Sequence, residues 1–193
     1  MDRALPLFEQ AAVGIEKRRI QHEYAKPIIS STIADYEEAQ QFDKAESWRR
    51  KWLAVVKAEA GVASPAYAGE MAALRFLLLK QQKWADAEPI LRESLAIREK
   101  TQPDLWTTFN TQSMLGGALL GQKKYASAEP LMLKGYVGMQ GREKTLPPQR
   151  AIRIPESLDR LIELYTATNK PDEVTKWQAE RAKYPQTKPE GKK

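Results

Sequence analysis

The residues that could do chemistry in this chain are few, and their spacing argues against each reaction in turn. His22 is the only histidine, so neither a histidine-based triad nor a histidine metal cluster can be assembled, and a surface or structural role is expected for it. There are no cysteines, which excludes thiolate catalysis, disulfides and cysteine-ligated metals. The stretch "GGALLGQK" from Gly116 spaces two glycines and a lysine in the manner of a phosphate loop, but such a loop needs Gly-Lys-Ser/Thr in direct succession after a strand. Here Gln122 intervenes, Lys124 stands where the hydroxyl residue belongs, and the context is helical. Gly135, Gly138 and Gly141 recur every three residues. In a helix each costs about 1 kcal/mol relative to alanine, so close packing of a neighbouring helix is the expected compensation. Carboxylates are plentiful but recur with the helical pattern, and no pair stands apart as an acid and base. The expectation is a chain without enzymatic activity, cofactor or metal.

The elements that carry these residues are repeated. "WADAEPILRESLAIREK", from Trp84, returns as "YASAEPLMLKGYVGMQG", from Tyr125. Alanines fall at Ala4, Ala45, Ala87 and Ala128, spaced 41, 42 and 41, and aromatics precede the last three by three residues: Phe42, Trp84 and Tyr125. Each aromatic follows a polar turn ("QQ", "QQK", "GQKK"), itself preceded by a segment with helical apolar spacing. The unit therefore reads as helix, short turn, aromatic, second helix. A small residue is what two antiparallel helices need where they cross, and the aromatic is expected to plug the end of its own hairpin. Leu74 with Leu78, and Leu115 with Leu119, supply i,i+4 contacts on first helices. A fourth unit has Leu158, Leu161, Ile162 and Tyr165 as its stripe, "TNKPD" as its turn and Val174 at the alanine position, 46 residues after Ala128. The extra length falls in "KTLPPQRAIRIP", where Pro147, Pro148 and Pro155 forbid one continuous helix.

Composition fits such an array. Hydrophobic residues make up 42% and charged residues 29%, within the range of folded domains rather than disordered ones. Of the net charge of +6, the last eleven residues, "KYPQTKPEGKK", hold +3 on a segment broken by Pro and Gly. The clusters Lys17-Arg18-Arg19 and Arg49-Arg50-Lys51 lie among acidic neighbours, so solvated helix faces are expected rather than a phosphate-binding surface. No apolar run approaches the ~18 residues of a membrane helix, and "MDRALPLFEQ" does not read as a signal peptide. The expected location is the cytoplasm.

These residues resemble the tetratricopeptide repeats, and more closely the longer variant of kinesin light chains. The likeness rests on "W/Y-x-x-A-E-P", on "LAIREKTQPDLWTTFN" and on the 41–42 spacing, and runs from Ala4 to about Lys183. Spacing alone would favour HEAT-type repeats, whereas the aromatic-x-x-Ala pairing and the Glu-Pro opening decide for the tetratricopeptide variant. The stretch from "LGGALLGQKKYASAEP" to "LDRLIELYTATNKPDEVTKW" also resembles the repeat region of planctomycete-type bacterial proteins, many of which carry a serine/threonine kinase domain. The chain has no kinase motif of its own: no Gly-rich loop before a strand lysine, no H-R-D and no D-F-G.

The resemblance implies an all-α helix-hairpin solenoid, a right-handed superhelix whose first helices line a concave surface. The expected organisation is residues 1–20 as the second helix of an incomplete repeat, 21–61, 62–100 and 101–144 as three repeats, 145–155 as a Pro-containing loop, 156–184 as a capping repeat and 185–193 as a basic tail. Met1 stands where an aromatic belongs, as in a piece of a longer protein. Positions that face inward in the family are Ser30, Ala34 and Glu37, then Ala72, Phe76 and Leu79, then Asn110, Ser113, Gly117 and Leu120, then Asp159 and Glu163. The resemblance implies that these bind a protein or peptide partner. The paired asparagines with which kinesin light chains grip a peptide backbone are replaced here by Ser30-Ser31, Ala72-Ala73 and Ser113-Met114, with Asn110 the nearest survivor. The Lys and Asn set of chaperone-type domains is missing too, and Arg75 stands where a small residue is preferred. A less polar groove, suited to an apolar or helical peptide, is therefore expected. The alternatives are a nucleic-acid-binding array, for which the inward positions lack regularly placed base-reading residues, and self-association through the open first helix.

Overall fold

The computed structural model describes residues 9–14 and 25–184, and among them all regular structure is helical. The expectations placed on Ala4, His22, Lys17-Arg18-Arg19 and the tail at 185–193 lie outside the described residues. The chain divides into two compact units, residues 1–81 and 82–193.

The first unit contains the helical residues 9–14 (α1), then α2 (Ala25–Glu38), α3 (Phe42–Ala60) and α4 (Pro65–Lys80). α2 and α3 form a hairpin, and α4 packs on α3. α4 starts where the sequence dictates: Pro65 occupies the first helical position, and the Ser64 hydroxyl accepts from the Tyr67 amide at 3.1 Å, a side-chain cap. Its core face comprises Tyr67, Met71, Leu74, Leu77 and Leu78. The basic cluster of α3 is used within the unit. Arg49 donates to Glu37 at 2.7 Å and lies 4.0 Å from Glu70, tying three helices together. Arg50 pairs with Glu46, and Lys51 lies over the Trp48 ring at 4.8 Å.

The second unit contains α5 (Trp84–Thr101), α6 (Trp106–Gly121), α7 (Tyr125–Gln140), α8 (Arg153–Ala167) and α9 (Pro171–Arg181). α6 with α7, and α8 with α9, form hairpins, while α5 packs on α6, and α8 on both α7 and α6. The glycines of α7 have their compensation. A Cβ on Gly135 would come within 2.6 Å of the Ser113 amide nitrogen and 2.7 Å of the Phe109 carbonyl, and one on Gly138 would enter the Phe109 ring. Gly141 differs: it caps α7, and a Cβ there would make only ordinary contact, with the Val137 carbonyl at 3.4 Å. The phosphate-loop look-alike is also packing, with Gly116 against Met132, Gly117 beneath Arg160 and Gly121 against the Trp84 ring.

Each turn within the repeated pattern holds one residue at positive φ: Gln40, Gln82, Lys123 and Asn169, at 57°, 56°, 61° and 54°. These positions are 42, 41 and 46 residues apart, repeating the spacing of Ala45, Ala87, Ala128 and Val174. The left-handed residue reverses the chain in a single step, at a steric penalty that asparagine bears best. The repeated Ala45, Ala87 and Ala128 are fully buried, and the Ala128 carbonyl lies 3.1 Å from where a Cβ on Gly116 would stand, so the helices do cross at the small residues. Two of the aromatics also reach the next repeat. Trp84 lies against Gly121 at the end of α6, and Phe42 lies under Lys80 at the end of α4. Each packs at the end of the following repeat's first helix.

The glutamate after each repeated alanine makes a bond of the same kind. Glu46 accepts from Gln81 at 3.5 Å, Glu88 from Gln122 at 2.8 Å and Lys124 at 2.9 Å, and Glu129 from the Tyr165 hydroxyl at 2.9 Å. Hydrogen bonds from Lys124, then Arg92, then Gln122 lower the Glu88 pKa to about 2. A carboxylate depressed in the folded state stabilises above its unfolded pKa and loses that contribution as pH falls from about 4.5 through about 2. Glu88→Gln is therefore expected to lower stability at neutral pH by about 1–2 kcal/mol and to flatten the loss between those pH values, as read by urea unfolding across the acid range.

The long connection is shorter than its prolines suggest. It holds two 3-10 turns, Glu143–Thr145 and Pro148–Arg150, and is anchored by buried Leu146. α8 begins at Arg153, inside the stretch expected to be loop, with buried Pro155 as its third residue. Proline fits there because first-turn amides have no intrahelical acceptor.

Candidate partner-binding surfaces

In the first unit the expected residues divide by burial. Ser30 and Ala34 on α2 are exposed, and Glu37 is half-buried and tied to Arg49. On α4, Ala72 and Leu79 are half-buried, while Phe76 is 60% exposed. Gly69, one helical step before this group, would accept a Cβ with nothing within 4 Å. Gly69, Ala72, Phe76 and Leu79 thus leave apolar area open to solvent on α4, most of it at the Phe76 ring. Arg75, the neighbour of Phe76 in the chain, is buried.

In the second unit the same helical phase leads to a different surface. Asn110, Ser113 and Leu120 on α6 are buried and offer little area, so of the four inward positions only Gly117 is partly open. On α8, Asp159 is exposed but held by Arg181 at 2.7 Å, and Glu163 is exposed. Asn110 donates to the Met114 sulfur at 3.6 Å, and its side-chain oxygen is buried without a hydrogen bond among the described residues.

What covers part of α6 is Arg160, which sequence reasoning missed. Its stem lies along Gly117, where a Cβ would be 3.1 Å from the Arg160 Cδ, and its Nη1 donates to the Ser113 hydroxyl at 3.2 Å. Nη2 is 3.7 Å from Glu156, which Arg153 already holds at 2.8 and 2.7 Å. Burial lowers the Arg160 pKa from its ordinary value. The α4 face leaves Phe76 exposed beside half-buried Ala72 and Leu79, whereas the α6–α8 face carries a partly buried cation. The only signal for it was an arginine one helical step from the expected Glu163. Its meaning depends on Gly117 and Ser113, more than 40 residues away.

Among the described residues, no group of three or more His, Cys, Asp and Glu side chains is placed to hold a metal ion, and no helix is long and apolar enough to cross a membrane.

Residues 76–101 match the family model described as "Tetratricopeptide repeat". Two solved structures are similar over almost the whole chain. BtubC (BKLC) from P. vanneervenii gives a TM-score of 0.71 at 15% identity, covering 99% of this chain and 78% of that one. A Podospora anserina protein described as a kinesin light chain with nearly identical TPR-like repeats gives 0.70 at 17% identity, covering 94% and 85%. No curated protein matches the sequence. At these identities the likeness establishes the fold, an all-α, TPR-like helix-hairpin solenoid, and no catalytic family is indicated. TPR repeats generally serve as protein-interaction scaffolds.

Proposed function

We propose that the chain is a non-catalytic interaction scaffold that takes a peptide or protein partner on the outward faces of its first helices, α2 and α4 in one unit and α6 and α8 in the other. The carrying observation is Phe76. A phenylalanine 60% exposed beside Ala72 and Leu79 leaves apolar area in water that a partner would cover. The fold supports the same reading, since TPR repeats generally bind protein partners. A docking or regulatory role within a larger signalling protein, such as a bacterial serine/threonine kinase, belongs to the same proposal.

Phe76→Glu is expected to weaken partner retention about tenfold or more while leaving the helical circular-dichroism signal and unfolding midpoint unchanged, because the ring packs little against the fold. The assay is capture from nuclease-treated lysate at high salt with wild type and variant side by side. Equal retention by both would remove the α4 face from the proposal. Retention lost at high salt by wild type as well would point to charged surfaces as the source of binding.

A further inference from the structure

Arg160 and Glu163 stand one turn apart on α8, close enough to act on each other's charge, and are the charges of this face that the fold pairs most loosely. Arg153 holds Glu156, and Arg181 holds Asp159. Arg160 makes one hydrogen bond, to Ser113, and its nearest carboxylate is the 3.7 Å contact with Glu156, so most of its five N–H donors remain for another acceptor. Glu163 is exposed and makes no hydrogen bond or ion pair among the described residues. The guanidinium is also held in place. Gly117 lets its stem lie flat on α6, and the Ser113 hydroxyl fixes its head.

We propose that this pair reads an acid–base pair on a partner helix, a carboxylate meeting Arg160 and a cation one turn away meeting Glu163. The inference rests on the reading of the α6–α8 face as a partner surface and supplies the partner's chemistry there. Charge balance selects it. A purely acidic segment that reached Arg160 would also meet Glu156 and Glu163, and a purely basic one that reached Glu163 would meet Arg160 and Arg153. Only a segment carrying both signs is complementary at both positions. A helix presents side chains three residues apart at about 5–6 Å, the spacing at which α8 presents Arg160 and Glu163.

The test uses the full chain and two alanine-based helical peptides, one with a glutamate and a lysine three residues apart and one with two glutamates at those positions. Binding is followed by NMR at the Arg160 Nε–H and the α8 amides, for wild type and Glu163→Lys. Glu163 is exposed, so the variant should fold, and circular dichroism checks that it does. Wild type is expected to prefer the Glu/Lys peptide about fivefold to tenfold, and Glu163→Lys to reverse the preference. The same ranking for both proteins would overturn the inference. Shifts at Phe76 and Ala72 that ignore peptide charge would overturn it too, while leaving the proposed function standing. Shifts on no first helix would count against both. A wild-type dimer in light scattering that Glu163→Lys dissociates would also overturn it, since the occupant would then be a second copy of this chain.

Discussion

Gly135→Ala is expected to destabilise the second unit by about 3 kcal/mol, although alanine is the better helix former by about 1 kcal/mol. The added Cβ would meet backbone, the Ser113 nitrogen at 2.6 Å and the Phe109 carbonyl at 2.7 Å, and backbone cannot rotate away as a side chain can. To make room, α6 and α7 would have to separate along their whole contact, which includes the fully buried Met132, Leu115 and Leu119. Gly69→Ala is the internal control. It lies inside α4 with nothing within 4 Å of the new atom, so the same chemical change should gain about 0.5–1 kcal/mol. Urea unfolding of both variants measures the pair. Opposite signs confirm that helix approach, rather than helix propensity, governs the glycines of α7.

Trp177→Ala is expected to cost about 3–5 kcal/mol and to release α9. Trp177 is the one buried residue of that helix. Its ring meets Tyr136 edge-on at 5.4 Å and lies parallel to Tyr165 at 6.5 Å, and its indole N–H donates to Glu173 at 2.9 Å. Without it, α9 retains bonds at its ends, such as Arg181 with Asp159, but little apolar area against α7 and α8. Hydrogen exchange over Pro171–Arg181 should rise to that of an unpacked helix, and near-ultraviolet circular dichroism should lose the ordered aromatic signal. Trp177→Phe, which keeps a ring but drops the indole bond, should lose about 1 kcal/mol.

The repeat was legible because its physical demands are local. A crossing helix needs alanine at one position, and a one-step reversal needs a tolerant polar residue five positions earlier, so Ala45, Ala87 and Ala128 follow Gln40, Gln82 and Lys123 at a fixed distance. Features that depend on distant parts of the chain were harder to read. Trp84 stands in the sequence beside its own turn, yet its ring is spent on Gly121, 37 residues later. Pro155 reads as a helix breaker until its place in the first turn of α8 is known.

On the candidate binding surfaces, the family-derived positions of α4 include the exposed Phe76, over which little packs. The family's inward positions on α6 include Asn110, Ser113 and Leu120, but these are buried. For Ser113 the cover is the Arg160 side chain, whose reach depends on the absence of a Cβ at Gly117. A pattern within one helix carries no information about an arm extended from another.

If partners meet the first helices, hydrogen–deuterium exchange of the chain with and without its captured partner will show protection on the solvent-facing turns of α4 around Phe76 and of α8 around Glu163, with α3, α5, α7 and α9 unchanged. Protection confined to those second helices, with α4 and α8 exchanging as in the free protein, would contradict binding there.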